Sequence, residues 1–357
     1  MLPDFHRESG RKNADVSEDD AKMQNDATVK QTMLRKKLAN APPKKSASVG
    51  VSRPSPTRKK WRSIMMDWDL YMLMLPGILF FLIFRYLPMW GIVIAFQDYS
   101  PFRGIWNSEW VGFKHFVTLF TYDKFWEIFR NTILISFYNL IFFFPAPIVI
   151  ALLLNELRVQ WFKRTVQTII YLPHFISWVV VAGMTYILLG TQGGIVNEII
   201  RSFGGEAVAF LTTPEYFRTL IVSQSIWKEA GWGTIIFLAA LAGVDPQLYE
   251  AATVDGAGRW RQLWHVTLPA IRSTIAILFI LRLGNVLDVG FEQIFLMLNS
   301  TVQSVGDVFE TYVYREGLLG GKFSYTTAVG LFKSVVGLIL VVVANWLVKK
   351  FGEEGVY

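Results

Sequence analysis

The side chains best placed to do chemistry are polar groups set inside long apolar stretches. Gln224, Lys228 and Glu229 fall in one stretch, Arg282, Asn285, Asp288 and Glu292 in another, Lys333 in a third and Arg85 in a fourth. A charge in such a segment is costly, so it points either to a solute pathway or to a pairing that holds helices together. Gln224 and Lys228 are four residues apart and share a helix face; Asp288 and Glu292 do likewise, with Arg282 offset. One reading is a polar cavity that hydrogen-bonds the hydroxyls of a solute, with Trp227, Trp232 and Tyr138 offering ring faces. The other is a set of interhelical ion pairs, such as Lys228 with Asp288. The residues alone leave both open.

Other reactive patterns are missing. There is no cysteine, which excludes disulfides, thiolate chemistry and cysteine-based metal sites. The four histidines, His6, His115, His174 and His265, are scattered without ligand spacing, so no metal site is expected. The nearest phosphate-loop lookalike is Gly320–Gly321–Lys322. Phe323 follows that lysine and Glu316 stands at the upstream glycine position, so phosphate and magnesium have no cradle. No nucleophile-elbow pattern occurs. An enzyme would be expected to show paired carboxylates or a histidine-rich set, and a catalytic role is therefore not expected.

The elements that position these groups follow from hydropathy. The chain has 357 residues, 52% hydrophobic and 15% aromatic, with a mean hydropathy of +0.35. The apolar excess collects in six blocks, approximately 70–96, 131–154, 166–189, 218–242, 272–297 and 325–348, each near the roughly 20 residues that cross a bilayer. An all-α membrane protein with six transmembrane helices is predicted. Pro76, Pro88, Pro145, Pro147 and Pro173 lie within spans, where neighbouring helices or water must satisfy the freed backbone groups. The aromatic-rich segment Trp106 to Phe129 suits an interfacial helix on the outer face.

Charge sets the orientation. Arg158, Lys163 and Arg164 follow the second block, Arg259, Arg261 and Arg272 lie between the fourth and fifth, and Lys349 and Lys350 follow the last. The excess of Lys and Arg places these loops, and both termini, in the cytoplasm. Residues 1–62 form a basic, polar segment without apolar periodicity, read as a disordered cytoplasmic tail ahead of a transmembrane domain over 63–357. The net charge of +7, much of it in that tail, suits anionic lipid; nothing later in the chain supports nucleic acid.

The most informative loop is residues 246–271, which includes EAATVDGAGRWRQLWHVTLPAI. Glu250, Ala251 and Ala252 are read as starting a short helix, with the acidic residue suited to its positive end. Asp255 and Gly256 break it. A second amphipathic arm runs from Arg259 through Leu263, Trp264 and Val266 to Leu268, and Pro269 turns the chain back into the membrane. The expected product is a helix–turn–helix knob.

This loop resembles the EAA loop of ABC importer permeases, with Glu250, Ala251, Ala252, Gly256, Leu268 and Pro269 on its pattern. Asp255 and Ala257 match the form common in sugar importers. Leu263 stands where Phe is frequent, Val266 where Ile is usual and Ser273 where a second Pro often falls. Over about 62–357, stretches such as NLIFFFPAPIVIALLLNELR and SQSIWKEAGWGTIIFLAAL look like the oligosaccharide permeases of the maltose-permease superfamily. They look most like the branch named after lipoprotein-associated polysaccharide permeases. The resemblance implies a type I importer permease in the bacterial plasma membrane. It implies a cytoplasmic coupling loop seated in an ATPase groove, with ATP and magnesium held by a dimer of partner ATPase subunits. It further implies a second homologous permease, an extracytoplasmic solute-binding protein, surrounding membrane lipid, and an oligosaccharide substrate, polysaccharide-derived or uronate-containing. The competing reading is an ion-coupled secondary transporter, which would need no such loop and often shows duplicated halves.

Overall fold

Apolar blocks of membrane-crossing length fold as helices here, and prolines and glycines decide where they bend. The structure, a computed structural model, describes residues 68–350. The tail expected over 1–62 lies outside the described residues.

The first helix, α1 (Trp68–Phe81), continues through a π-helical turn (Leu82–Tyr86) and a 3-10 helix (Leu87–Phe96). The chain divides at Gly77: of the described residues, 68–77 belong to one unit, and Ile78 onward to the other, within which all packing below lies. A short antiparallel pair follows, β1 (Gln97–Asp98) with β2 (Glu109–Trp110), in register Gln97 to Trp110. Next come α2 (Lys114–Thr121) and α3 (Asp123–Tyr138), which runs through a π turn (Asn139–Phe143) into α4 (Pro145–Glu156). Then α5 (Gln160–Tyr171) passes through a 3-10 turn (Leu172–Phe175) to α6 (Trp178–Leu189), and α7 (Ile195–Ser202) follows. The longest helix, α8 (Pro214–Ala242), leads to α9 (Pro246–Val254) and α10 (Arg259–Gln262), then a π turn (Leu263–Thr267) and α11 (Leu268–Ala270). The remainder is α12 (Arg272–Gly284), α13 (Phe291–Met297), α14 (Gln303–Gly306), α15 (Phe309–Val313), a π turn (Tyr314–Leu319) and α16 (Phe323–Lys350).

Among the described residues three helices are long and apolar enough to cross a membrane: Trp68–Phe96, Asp123–Glu156 and Phe323–Lys350. Three bent pairs raise the number to six if each is one span: Gln160–Phe175 with Trp178–Leu189, Pro214–Ala242 with Pro246–Val254, and Arg259–Ala270 with Arg272–Gly284.

Two expected spans differ from the structure. The block 166–189 bends by 102° where Pro173 ends α5 and Ile176 is extended; Ser177 then restarts the helix by accepting the Val180 amide. The block 272–297 is not one helix either. Helix α12 stops at Gly284, residues 285–290 are non-helical, and Gly290, at φ +100°, precedes α13. Asp288 and Glu292 therefore do not share a helix face. The aromatic segment 106–129 also divides: only Lys114–Thr121 forms a separate short helix, while Phe125 and Phe129 belong to α3 and pack on Phe309 and Phe332.

Helix α8 is the centre of the packing, lying along α4 and α5. At Gly231 a Cβ would sit 2.1 Å from the Ile170 carbonyl oxygen, so only glycine lets these two backbones approach. Small residues at such contacts suit a bilayer, where helices associate by close packing rather than by exclusion of water. Ile135, Ala182, Phe217, Ile221 and Ile294 join α3, α6, α8 and α13 in one buried cluster. Ala151, Phe237, Leu241 and Ile271 form another beside the 246–271 loop.

Candidate functional site

The 246–271 loop is a helix–turn–helix closed by its own hydrogen bonds. Asp245 caps α9, its Oδ1 accepting the Gln247 amide at 2.9 Å, and Pro246 fills the first helical position, where no amide donor is needed. Glu250 therefore lies in the second turn, and the expectation that it begins the helix is corrected: Asp245 is the acidic residue at the positive end. The Ala257 amide donates to the Ala252 carbonyl at 2.8 Å and the Gly256 amide to that of Thr253 at 3.0 Å. That pairing is a Schellman ending, and it requires the left-handed φ of +74° found at Gly256.

Two residues that sequence reasoning passed over clamp the arms together. Gln262 donates from Nε2 to the Thr253 hydroxyl and to the Ala257 carbonyl, each at 3.0 Å. The Tyr249 hydroxyl donates to Thr267 Oγ1 at 3.1 Å. No local pattern marks them, because their partners are reached only when the turn closes. Glu250, Ala251, Asp255, Gly256 and Pro269 are exposed, whereas Ala252 and Ala257 are half-buried. Val254, 88% exposed, is an apolar tip that the bundle leaves uncovered, and Trp260 is 78% exposed. Leu263 and Leu268 line, with Ile148, Leu152, Trp260 and Trp264, an apolar cavity of about 560 Å³ against α4. Leu263 thus contributes to the side facing α4.

The polar groups of the spans separate into three sets. At the break between α5 and α6, Lys228 Nζ donates to Glu229 Oε1 and to the His174 carbonyl, both at 2.8 Å. The other Glu229 oxygen lies 2.6 Å from His174 Nδ1. The His174 ring stacks on Trp232 at 4.4 Å with planes 5° apart, and Lys228 sits over Trp178 at 5.2 Å. Lys228, Glu229 and Trp232 are thus brought together around His174, a histidine that spacing did not single out. The signal that could have found it is Pro173 beside it, since irregular backbone at membrane depth is tolerated where it lines a cavity.

Gln224 belongs to a second set. It donates to Thr185 Oγ1 at 2.7 Å and accepts from Gln293 Nε2 at 3.0 Å; Gln293 in turn binds the Ile221 carbonyl and Ser225. These amides tie α8 to α6 and α13. The third set corrects the pairing suggested above: Asp288 pairs with Lys333, not Lys228, and Lys333 also pairs with Glu310. Burial pushes the Glu310 carboxyl up, against the opposing pull of Lys333. Asn285 and Glu292 are exposed and join none of these sets; Trp227 is also exposed. Tyr138 lines a separate cavity with Arg218.

Similarity to known proteins agrees with this architecture. Residues 144–353 match the family described as binding-protein-dependent transport system inner membrane component. The polygalacturonan/rhamnogalacturonan transport system permease protein YteP of Bacillus subtilis (strain 168) is 59% identical over 288 residues, covering 81% of this chain and 90% of the relative. Protein LplB of the same strain is 55% identical, covering 83% of this chain and 93% of the relative. Among solved structures, one chain of a bacterial alginate ABC transporter in complex with an alginate pentasaccharide-bound periplasmic protein superposes with a TM-score of 0.77. That chain is 44% identical, and the match covers 83% of this chain and 99% of that one.

Proposed function

The chain belongs to the family of binding-protein-dependent transport system inner membrane components, and on that premise we propose how this permease is coupled and what it carries. It is the membrane permease subunit of an ATP-driven ABC importer of sugars, not an enzyme. The fold is the all-helical type I permease fold.

The substrate is an acidic oligosaccharide, a uronate-containing fragment of a larger polysaccharide. What supports this is that the relatives at 59% and 44% identity are named for polygalacturonan/rhamnogalacturonan and for alginate. The sugar passes the break at Pro173, where the His174–Glu229–Lys228 chain and the Trp232 ring offer hydrogen bonds and a stacking face. An extracytoplasmic binding protein delivers it.

The observation that carries the coupling mechanism is the knob turning on Gly256, with an exposed apolar residue, Val254, at its tip. An apolar tip on a polar loop suits a protein partner. That partner is one ATPase subunit of a dimer that holds ATP and magnesium. One knob engages one ATPase, so a second, homologous permease supplies the other. Because the clamps at Gln262 and Tyr249 make the loop one rigid body, closing of the ATPase pair moves α8 and α12 together.

Expressed with a second permease, the ATPase and the binding protein, the chain should purify as one complex. Its ATP hydrolysis should rise on adding the sugar-loaded binding protein. ATP hydrolysis by the purified chain alone would sink this assignment.

The proposed orientation places the knob, the tail 1–62 and both termini in the cytoplasm. The chain has no native cysteine, so single-cysteine variants report orientation cleanly. Membrane-impermeant maleimide added to whole cells should label positions 113 and 203 but not 163 and 259. Labelling at 259 from outside would invert the arrangement and remove the knob from any ATPase.

A further inference from the structure

Lys228 is neutralised by Glu229, and Lys333 by Asp288 and Glu310, whereas Arg282 lies over the Phe143 ring at 5.3 Å with no carboxylate at 4 Å or less among the described residues. Arg218 also lacks a carboxylate partner, and it lines a cavity. Its Nη2 donates to Asn131 Oδ1 at 3.0 Å, and among the described residues it makes no carboxylate pair. Its Nε is buried without a hydrogen-bond partner. Asn131 is itself fully buried, and its Nδ2 is committed to the carbonyls of Ser304 and Asp307, at 3.0 and 3.2 Å. The amide oxygen is therefore held facing the guanidinium, orienting Arg218 without cancelling its charge. Arg130 lies near enough on α3 to add positive potential.

Arg218 opens onto a cavity of about 490 Å³. Thr219, Val222 and Ser223 share one face of α8 with it, and Tyr138 and Phe142 form the opposite wall. Glu215 lines the same cavity one turn earlier but is exposed and forms no ion pair with Arg218 at 4 Å or less. The groups are those that hold an acidic sugar: a guanidinium without a carboxylate partner, hydroxyls, and an aromatic wall.

We propose that this cavity is a carboxylate-selecting station for one uronate residue of the incoming oligosaccharide, with Arg218 gripping the carboxylate. It is separate from the His174–Glu229–Lys228 set and rests on the acidic-substrate reading above. Asn131 is a positioning residue: it aims the guanidinium and touches no substrate. A partly buried guanidinium without a carboxylate partner is costly, and an arriving carboxylate supplies the missing partner, so acidic sugars are favoured over neutral ones at this step.

The test uses the complete reconstituted importer in proteoliposomes, with trigalacturonate and its fully methyl-esterified form as probes. Uptake of each is compared between wild type and variant, so that selection by the binding protein cancels. Arg218→Gln should lower uptake of trigalacturonate by roughly tenfold to hundredfold, the range for losing a charged hydrogen-bond partner, with little change for the ester. Arg218→Lys, which keeps the charge but loses the fork, should fall between. Should Arg218→Gln fail to assemble, the same acid-to-ester ratio is read in Arg218→Lys. An equal loss for both sugars, or none for either, overturns the station while leaving the acidic-substrate reading intact. Wild-type importer that carries no uronate overturns both.

Discussion

Replacing Gly256 with valine is expected to weaken coupling severely while the membrane bundle still assembles. Gly256 holds φ at +74°, and a Cβ there would meet nothing within 4 Å in this chain. The damage in the isolated subunit is therefore backbone strain alone, about 1–2 kcal/mol for an L residue in the left-handed region. That strain opposes the Schellman hydrogen bonds at Ala252 and Thr253 and the Gln262 clamp that depends on them. A shift of about 1.4 kcal/mol is tenfold in an equilibrium, so stimulated ATP hydrolysis and uptake should each fall at least about tenfold. Asparagine tolerates this backbone better than valine, so Gly256→Asn should lose less. A dependence on side-chain size instead of backbone tolerance would assign the effect to a clash in the ATPase groove. Full stimulation and uptake in an assembled Gly256→Val complex would mean the knob is not the coupling element. Glu250→Lys is a weaker test, because Glu250 sits in the second turn and Asp245 holds the capping position.

Asp307→Ala is expected to cause the largest loss of stability. The Asp307 side chain is fully buried, and both its oxygens are used: Oδ2 accepts from Arg315 Nη2 at 2.6 Å, and Oδ1 accepts from Thr311 Oγ1 at 2.8 Å and Arg315 Nη1 at 3.3 Å. Thr311 Oγ1 also accepts the Val308 amide at 3.0 Å, so the carboxylate organises the start of α15. Losing the buried carboxylate unmakes these charge-assisted bonds and costs about 1.5–3 kcal/mol, although Arg315 is a third exposed and keeps Glu316 at 3.8 Å. At roughly 2–4 °C per kcal/mol for a chain of this class, the melting temperature of the purified complex should fall by several degrees. Arg315→Ala should come close, since it strands Asp307. The apolar double replacement Asp307→Leu with Arg315→Met should recover much of the loss. A shift below about 2 °C in the first variant would show that the pair is not holding this corner. Neither change touches the knob, so ATPase coupling in the surviving complex should be normal.

The two predictions sit at opposite ends of what the sequence makes legible. The Gly256 turn could be read directly, because Asp-Gly after a short apolar helix is local turn chemistry, and the backbone at 255–256 answers to its own residues. The same holds for the apolar blocks, for the loop between the fourth and fifth of them, and for the pairing of Gln224 and Lys228 on one face of α8. Asp307 gave no such signal; its partner Arg315 is eight residues on, across the start of α15, and only the fold buries it.

The errors follow the same line. The block 272–297 is apolar throughout, so periodicity joins α12 to α13, yet Gly284 ends the helix where Val341 of α16 leaves no room for a Cβ. Asp288 then reaches Lys333, 45 residues away, and not Lys228. His174 looked isolated because its partner Glu229 is 55 residues distant and the ring is presented by the bend at Pro173. Arg218 carries no signal of its own in the sequence, because Asn131, which holds it without neutralising it, lies 87 residues earlier. By itself the sequence determined the membrane class, the helix-forming blocks and the glycine turn of the knob, since each depends on hydropathy or backbone freedom within a few residues. Only the tertiary structure decided which charges cancel and which do not, because that depends on helices brought together from distant parts of the chain.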